Sequence, residues 1–309
     1  MLKIIKNSTT SPKLKKVKTG RLESDSWLYA LDPTSEEIGR ISKLSKISLE
    51  TLEDSLDEYE IPRVETEKDK LVIILRTPVL DDGVYKTTPL TLVISGEFIV
   101  SISSKKINIL ENYISSKKRI YTGHRSSFFI KICLEVLNDY QRYIASINKG
   151  LQADRKRFRQ IGQQEIAKLV ENEEMLNDSV SALAPTLNAI KKVLNSRRLK
   201  FYEADKEMIE DLLIDGEQVL ELAQTSLKTI RNLRDGHTTL MTIRLNQVMK
   251  LLTYVTVIFT MPMIITGFYG MNVGLPFANS EYAHLIIFCF ILFSILILGS
   301  LIYFFRKKI

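Results

Sequence analysis

Three patterns of hydrophobic and polar positions succeed one another along the chain. In residues 1–110 the apolar residues come in short unbroken runs. Leu71-Val72-Ile73-Ile74-Leu75, Leu90-Thr91-Leu92-Val93-Ile94 and Phe98-Ile99-Val100-Ser101-Ile102 have the length and side-chain types of buried strands. Ser95-Gly96-Glu97 predicts a tight hairpin between the last two, and Asp81-Asp82-Gly83 a second turn. Between Thr34 and Leu56 the spacing of Ile38, Ile41, Leu44, Leu52 and Leu56 predicts two helices on one face of that sheet. Asp32-Pro33-Thr34-Ser35-Glu36-Glu37 opens the first, with a capping residue and acids in its first turn.

From Ser126 the strand signals stop and Glu, Lys, Gln, Leu and Ala take over. One helix is predicted over 126–159, ending before Gly162, and a second over 163–195 with Pro185 as a kink or break. A third begins near Glu203. Ile209, Leu213, Leu220, Ala223, Leu227 and Ile230 recur along it as a coiled-coil-like seam. Continued to Tyr269, that helix has about 67 residues and runs roughly 100 Å at 1.5 Å per residue. A helix of that length cannot bury its seam alone, which predicts partner helices from other subunits.

The third pattern is the absence of charge. No Asp, Glu, Lys or Arg falls between Lys250 and Glu281, nor between Glu281 and Arg306. About 20 apolar residues cross roughly 30 Å of hydrocarbon, and 251–269 and 285–305 both meet that requirement. With no water to satisfy their backbones, both are predicted to be transmembrane helices. Arg244 and Lys250 precede the first, and Arg306, Lys307 and Lys308 follow the second, while the loop between has no Lys or Arg. The positive-inside rule therefore predicts both termini in the cytoplasm, in the plasma (inner) membrane, with the loop outside. Met1–Gly20 holds lysines but no apolar core of signal-peptide length.

Inside the first span, Asn246, Met249, Thr253, Thr256, Thr260, Met263, Gly267 and Gly270 follow at steps of three and four, so they share one helix face. Small and hydroxyl residues in a membrane helix also serve helix packing. A stripe of this length, opening on an amide and closing at a glycine-rich mouth, favours the lining of a pore. The second span has few polar positions (Cys289, Ser294, Gly299, Ser300) and reads as an outer helix facing lipid. No ionisable side chain lies inside either span, which argues against a proton-coupled carrier. Passive flow suffices for a cation: two charges crossing 100 mV release about 4.6 kcal/mol. Neutral oxygens suit a hard cation that keeps its waters, as magnesium does. Two spans cannot enclose a pore, so a symmetric oligomer is required.

Composition narrows the rest. The net charge is +7, but no nucleic-acid-binding motif accompanies it and the basic residues are scattered or flank the spans. There is no Gly-rich loop ending in Gly-Lys-Ser/Thr. His124, His237 and His284 lack Cys or His at ligand spacing, so a structural zinc site is not expected. The two cysteines, Cys133 and Cys289, fall in a soluble helix and a span, as in a reducing compartment. Nothing supports an enzyme, and no catalytic residue or catalytic cofactor is expected.

Asn246-Gln247-Val248-Met249-Lys250-Leu251-Leu252-Thr253, followed by Gly267-Phe268-Tyr269-Gly270-Met271-Asn272, resembles the CorA family of divalent-cation transporters. Trp27 ahead of Asp32-Pro33-Thr34, and Leu52-Glu53-Asp54 through Glu60-Ile61-Pro62-Arg63-Val64-Glu65, resemble that family's cytoplasmic domain. The resemblance implies a homopentameric, funnel-shaped magnesium channel in the lipid bilayer. It implies that Gly270, Met271 and Asn272 hold the hydrated ion at the outer mouth, and that Asn246, Met249 and Leu252 form the narrow cytoplasmic end. It further implies inhibition by Mg2+ bound to acids of the stalk, with Asp235 and Asp211 at the corresponding positions. Read without the resemblance, those two acids belong equally to a solvated helix face. One departure stands out: the loop continues Val273-Gly274-Leu275-Pro276-Phe277-Ala278-Asn279-Ser280-Glu281, so no acid adjoins its Pro and Glu281 is its only carboxylate.

The expected architecture is thus an α+β cytoplasmic domain with a mixed sheet (1–125), antiparallel long helices (126–202), a stalk helix (203–250), a first transmembrane helix (251–269), an outer loop (270–284), a second transmembrane helix (285–305) and a basic tail (306–309). The expected function is passive magnesium transport gated by cytoplasmic magnesium. The alternatives are the same scaffold carrying cobalt, nickel or zinc, and a membrane-anchored oligomeric sensor that does not conduct. Zinc ordinarily recruits Cys or His, and neither lies on the stripe.

Overall fold

The computed structural model describes residues 2–8, 11–16, 22–81, 83–115, 120–156, 162–274, 276 and 281–308. Asp82 of the second predicted turn, the last residues (157–159) of the first predicted long helix, and loop residues 275 and 277–280 lie outside the described residues. The chain divides into two compact units, Met1–Arg234 and Asp235–Ile309.

The first unit is organised on a seven-stranded mixed sheet: β1 (Leu2–Ser8), β2 (Ser11–Lys16), β3 (Ser26–Leu31), β4 (Arg63–Glu67), β5 (Lys70–Asp81), β6 (Val84–Ile94) and β7 (Phe98–Ser103). Their order across the sheet is β2-β1-β3-β7-β6-β5-β4. The pair β3–β7 is parallel and the others are antiparallel. Leaving β3, the chain forms α1 (Ser35–Ser45) and α2 (Leu49–Asp54), then returns as the meander β4-β5-β6-β7 that sets β7 beside β3. A parallel neighbour requires such a crossover. The three predicted strands are the centres of β5, β6 and β7.

Both faces of this sheet are buried, which is why its central strands read as continuous apolar runs. Leu28, Ala30, Val72, Ile74, Val93 and Val100 pack with Ile38, Ile41 and Leu52 of α1 and α2. Trp27, Tyr29, Leu71, Ile73, Leu92 and Ile99 face the other way, toward the long helices. Trp27 is fully buried, donates from Nε1 to Ser101 Oγ at 2.8 Å, and meets Phe128 edge-on with ring centroids 5.1 Å apart. The entry to α1 is a capping box: Glu37 N–H donates to Thr34 Oγ1 at 3.3 Å and Thr34 N–H to Glu37 Oε2 at 3.2 Å. The β6–β7 hairpin forms where predicted, with the N–H groups of Glu97 and Phe98 donating to Ser95 Oγ.

After α3 (Asn108–Ile114), the helices α4 (Arg125–Lys156) and α5 (Gln163–Leu194) cover the second face. Pro185 does not break α5, which runs through it. A helix-interior proline costs about 3 kcal/mol. Here Leu183, Leu187 and Ile190 are buried around it, and Thr186 Oγ1 accepts from Arg76 N–H of β5 at 3.1 Å. Tertiary packing outweighs the local cost.

Helix α6 (Lys206–Tyr269) is 64 residues long. Its start is set by Asp205, whose carboxylate accepts from Tyr202 N–H at 3.0 Å. Within the first unit its buried residues are Leu212, Gly216, Val219, Ala223, Ser226, Leu227, Ile230 and Leu233. The predicted seam is therefore corrected: Ile209, Leu213 and Leu220 flank it rather than form it. Ala223, Leu227 and Ile230 of the predicted seam are on the buried face, which also takes in Leu212, Val219 and Leu233 and admits close approach at Gly216. A Cβ on Gly216 would lie 2.4 Å from Leu187 Cδ2 and 3.3 Å from Leu137 Cδ1. This part of the seam is buried by the chain's own α4 and α5 rather than by another subunit. At its edge, Glu173 of α5 accepts from Arg231 Nε at 3.2 Å and from Arg234 Nη1 at 2.5 Å.

The second unit contains the remainder of α6 and α7 (Ala283–Lys308). By length and composition α6 can cross a membrane, and α7 carries a shorter apolar stretch at His284–Ser300. Cys133 is buried in α4, Cys289 is exposed on α7, and both thiols are free.

Candidate functional site

All but the last residue of the sequence-predicted stripe lie on one uninterrupted helix. Asn246, Met249, Leu252, Thr253, Thr256, Thr260, Met263 and Gly267 belong to α6, and Gly270 follows its last residue. All of them are exposed in the single chain. Exposure does not by itself select this face, because Leu251, Val255 and Phe259 on the other sides are exposed as well.

The threonine hydroxyls of this face share the back-bonded geometry that Thr239 and Thr242 show earlier in α6, here within a stretch that has no charged residue. Thr253 Oγ1 donates to Met249 O at 2.9 Å, Thr256 Oγ1 to Leu252 O at 2.9 Å, and Thr260 Oγ1 to Thr256 O at 2.8 Å. Each hydroxyl hydrogen is thus directed back into the helix, and each oxygen keeps its lone pairs for the exposed side. A row of acceptors with no ionised group is complementary to the outward-pointing hydrogens of a hydrated cation. At the lower end, Met249 and Leu252 put apolar side chains one turn from the Asn246 amide, the composition of a constriction that excludes water.

The helix persists through Pro262, whose ring withholds a donor from the carbonyl of residue 258. One turn further on, Thr266 Oγ1 donates to Pro262 O at 3.0 Å and reaches Met263 O at 3.2 Å. At the upper end, Gly270 N–H still donates to Thr266 O at 2.9 Å, and Met271 N–H donates to Phe268 O at 3.3 Å. Gly270 does not adopt a positive φ. An added Cβ would lie 3.3 Å from Thr266 O, the carbonyl that the Gly270 N–H already bonds. Met271 and Asn272 follow in the turn, both exposed. Tyr269 is a contributor that spacing did not single out: its hydroxyl donates to Pro276 O at 3.3 Å, tying the loop back to the helix end that carries the tripeptide.

Asp211 and Asp235 are both exposed on α6. Among the described residues no three His, Cys, Asp or Glu side chains gather into a group able to hold a metal ion. One chain therefore does not assemble a regulatory site from these acids.

Comparison with known proteins gives this geometry its context. The cobalt/magnesium transport protein CorA of Methanocaldococcus jannaschii is 31% identical over 292 residues, covering 91% of this chain and 90% of that protein. The complete structure of the CorA magnesium transporter from that organism superposes with a TM-score of 0.83 at 26% identity, over 99% of this chain and 98% of that one. The full-length CmaX protein shares the fold at a TM-score of 0.72 and 18% identity, over 99% and 96% of the two chains. The ZntB cytoplasmic domain from Vibrio parahaemolyticus shares it at 0.64 and 11% identity, over 78% of this chain and 97% of that one. Residues 23–308 match the family described as CorA-like Mg2+ transporter protein, and this chain belongs to that family of divalent-cation transporters.

Proposed function

We propose that the chain forms a passive magnesium channel, with the ion path along the Asn246–Gly270 face of α6. The observation that carries this reading is the row of threonine hydroxyls whose hydrogens are committed to the helix, leaving their oxygens as acceptors for the waters of a cation. In this reading residues 251–269 and 285–305 are the two spans, both termini are cytoplasmic, and residues 270–284 form the outer loop. The domain below the membrane comprises residues 1–125, the long helices 126–202 and the stalk 203–250.

The pore is formed by symmetric copies of α6, five in the family this chain resembles, because two spans cannot surround water. Gly270, Met271 and Asn272 meet the incoming hydrated ion. Asn246, Met249 and Leu252 close the inner end. Asp211 and Asp235, brought near their counterparts in neighbouring copies, bind Mg2+ when it is abundant and hold the closed state, which is feedback through a ligand that prefers one state.

Cobalt is the second reading, favoured by the name of the Methanocaldococcus jannaschii relative and by the sulfurs of Met249 and Met263, which suit softer ions than magnesium. Purified protein in liposomes loaded with a cation-reporting dye tests the proposal. Magnesium influx driven by an inside-negative potential, without a proton gradient, is expected. Liposomes no more permeable than empty ones to magnesium, cobalt or nickel refute it and leave the non-conducting sensor.

A further inference from the structure

A separate concave site lies at one end of the sheet in the first unit. The turns β4–β5 and β6–β7, the start of α4 and the segment between α5 and α6 converge there on a cavity of about 270 Å3. Its wall carries Arg125, Arg198 and Lys200 and one carboxylate, Asp69. That carboxylate is already matched, its Oδ1 lying 3.0 Å from the Lys70 ammonium. Arg125 pairs through Nη2 with Asp25 at 3.0 Å, yet its Nε is buried without a hydrogen-bond partner. Arg198 Nη1 donates to Lys68 O at 3.2 Å, which holds the guanidinium at the wall with further N–H groups to offer. Helix α4 begins here with no acid in its first turn, so its positive end adds to the same field.

Asp25 offsets Arg125, so Arg198 and Lys200 are the wall's net positive groups; they raise the local potential, and an anion in the cavity relieves it. Guanidinium groups favour planar pairs of oxygens on phosphate or carboxylate, and a tetrahedral phosphate can present such pairs to two arginines and an ammonium together. The cavity is at the small end of ligand sites, which begin near 300 Å3, so it suits a phosphate-bearing group rather than a whole nucleotide. Tyr202, 61% exposed on the rim, offers a ring to whatever organic part the phosphate carries.

We propose that this cavity is a phosphate-recognition site in the α/β unit, independent of the ion path. Its occupant is either a soluble phosphorylated metabolite or a phosphorylated lipid headgroup.

The test uses full-length protein in detergent at fixed ionic strength and without magnesium. Inorganic pyrophosphate and, separately, a short-chain phosphatidic acid are titrated by calorimetry. Thermal unfolding is followed in parallel through Trp27. The double variant Arg198→Gln/Lys200→Gln should weaken binding by roughly tenfold or more, the loss of two charge-assisted contacts. Arg197→Gln removes an equal single charge from an exposed neighbour outside the cavity, and should change affinity by less than about twofold if the effect is local. Binding of pyrophosphate alone identifies a soluble source, and binding of phosphatidic acid alone a lipid headgroup. If neither ligand binds, or if Arg197→Gln weakens binding as much as Arg198→Gln alone, the site does not exist as described.

Discussion

The close approach at Gly216 gives a prediction whose sign depends on background. Glycine inside a helix costs about 1 kcal/mol relative to alanine, so Gly216→Ala should stabilise α6 if space allows. It does not allow it freely: the new Cβ falls 2.4 Å from Leu187 Cδ2 and 3.3 Å from Leu137 Cδ1. Leu187 is 4% exposed and Leu137 2%, so the displaced methyl has nowhere open to go. Overpacking of this kind costs about 1–3 kcal/mol. The two effects leave Gly216→Ala destabilising by about 1 kcal/mol, and Gly216→Leu by distinctly more.

Leu187→Ala alone should cost about 2–5 kcal/mol through its cavity. In that background the alanine Cβ enters vacated space, so Gly216→Ala becomes stabilising by about 1 kcal/mol, its full propensity gain. The cycle should thus show a coupling of about 2 kcal/mol. The assay is denaturant unfolding of the full-length protein followed by fluorescence of Trp27, the single tryptophan, which is buried against Phe128 of α4. Each kcal/mol also corresponds to about 2–4 °C in melting temperature for a unit of this size. Equal stabilisation by Gly216→Ala in both backgrounds would show that α6 stands off from α5 here, and would refute the packing argument.

Four further outcomes follow from the site and the surface. Asn272→Ala should cut magnesium flux in liposomes by tenfold or more, about the 1.4 kcal/mol of one well-placed hydrogen bond, with the oligomer intact by light scattering; unchanged flux removes Asn272 from the mouth. Met249→Asp should wet the inner constriction and raise basal flux at high internal magnesium, measured by dye quench; a tight channel would put the gate elsewhere. Asp211→Asn with Asp235→Asn should weaken magnesium-dependent protection from protease and inhibition of flux together, and retention of both would move sensing to other acids. Asp81, held below the ordinary carboxylate range chiefly by its hydrogen bond from Lys105, contributes stability above pH about 4 that is lost as acid protonates it. Lys105→Met should flatten that acid limb of the Trp27 unfolding curve, and an unchanged limb would assign it to other carboxylates.

Legibility in the sequence followed burial. Strands β5, β6 and β7 are buried on both faces, so their apolar runs are unbroken and were readable. β1 has only the pair Ile4-Ile5 between Lys3 and Lys6, and β4, at the sheet edge, has one large apolar residue, Val64, among charges. Neither pattern differs enough from a loop, since edge strands use charge to resist further pairing. Pro185 and the first half of the stalk seam, Ile209 to Leu220, misled for one shared reason, whereas Ala223, Leu227 and Ile230 are buried as read. Local rules rank residues by propensity and apolar size, whereas α5 and α6 were settled by packing, through Thr186 at the sheet and Gly216 against Leu187. Cβ-free approach leaves no apolar signal to read.

The proposed ion path rests on the opposite kind of signal, a polar face that nothing in the single chain buries. A soluble helix face of Asn, Thr and Gly would be ordinary, since water would satisfy it. The same face between Lys250 and Tyr269, on a stretch without charge, would set its Thr oxygens against hydrocarbon, where unsatisfied polar groups are costly. The threonines lower that cost by donating to their own helix, but their lone pairs still require partners. Copies of the same face arranged around water supply them, and a water column lined by neutral acceptors passes a hydrated cation with no ionisable relay. Helix packing alone would account for small residues at one or two turns. It gives less reason for three threonines followed by Gly267 and Gly270 on one face, leading to Met271-Asn272 where Tyr269 fastens the loop to the helix end.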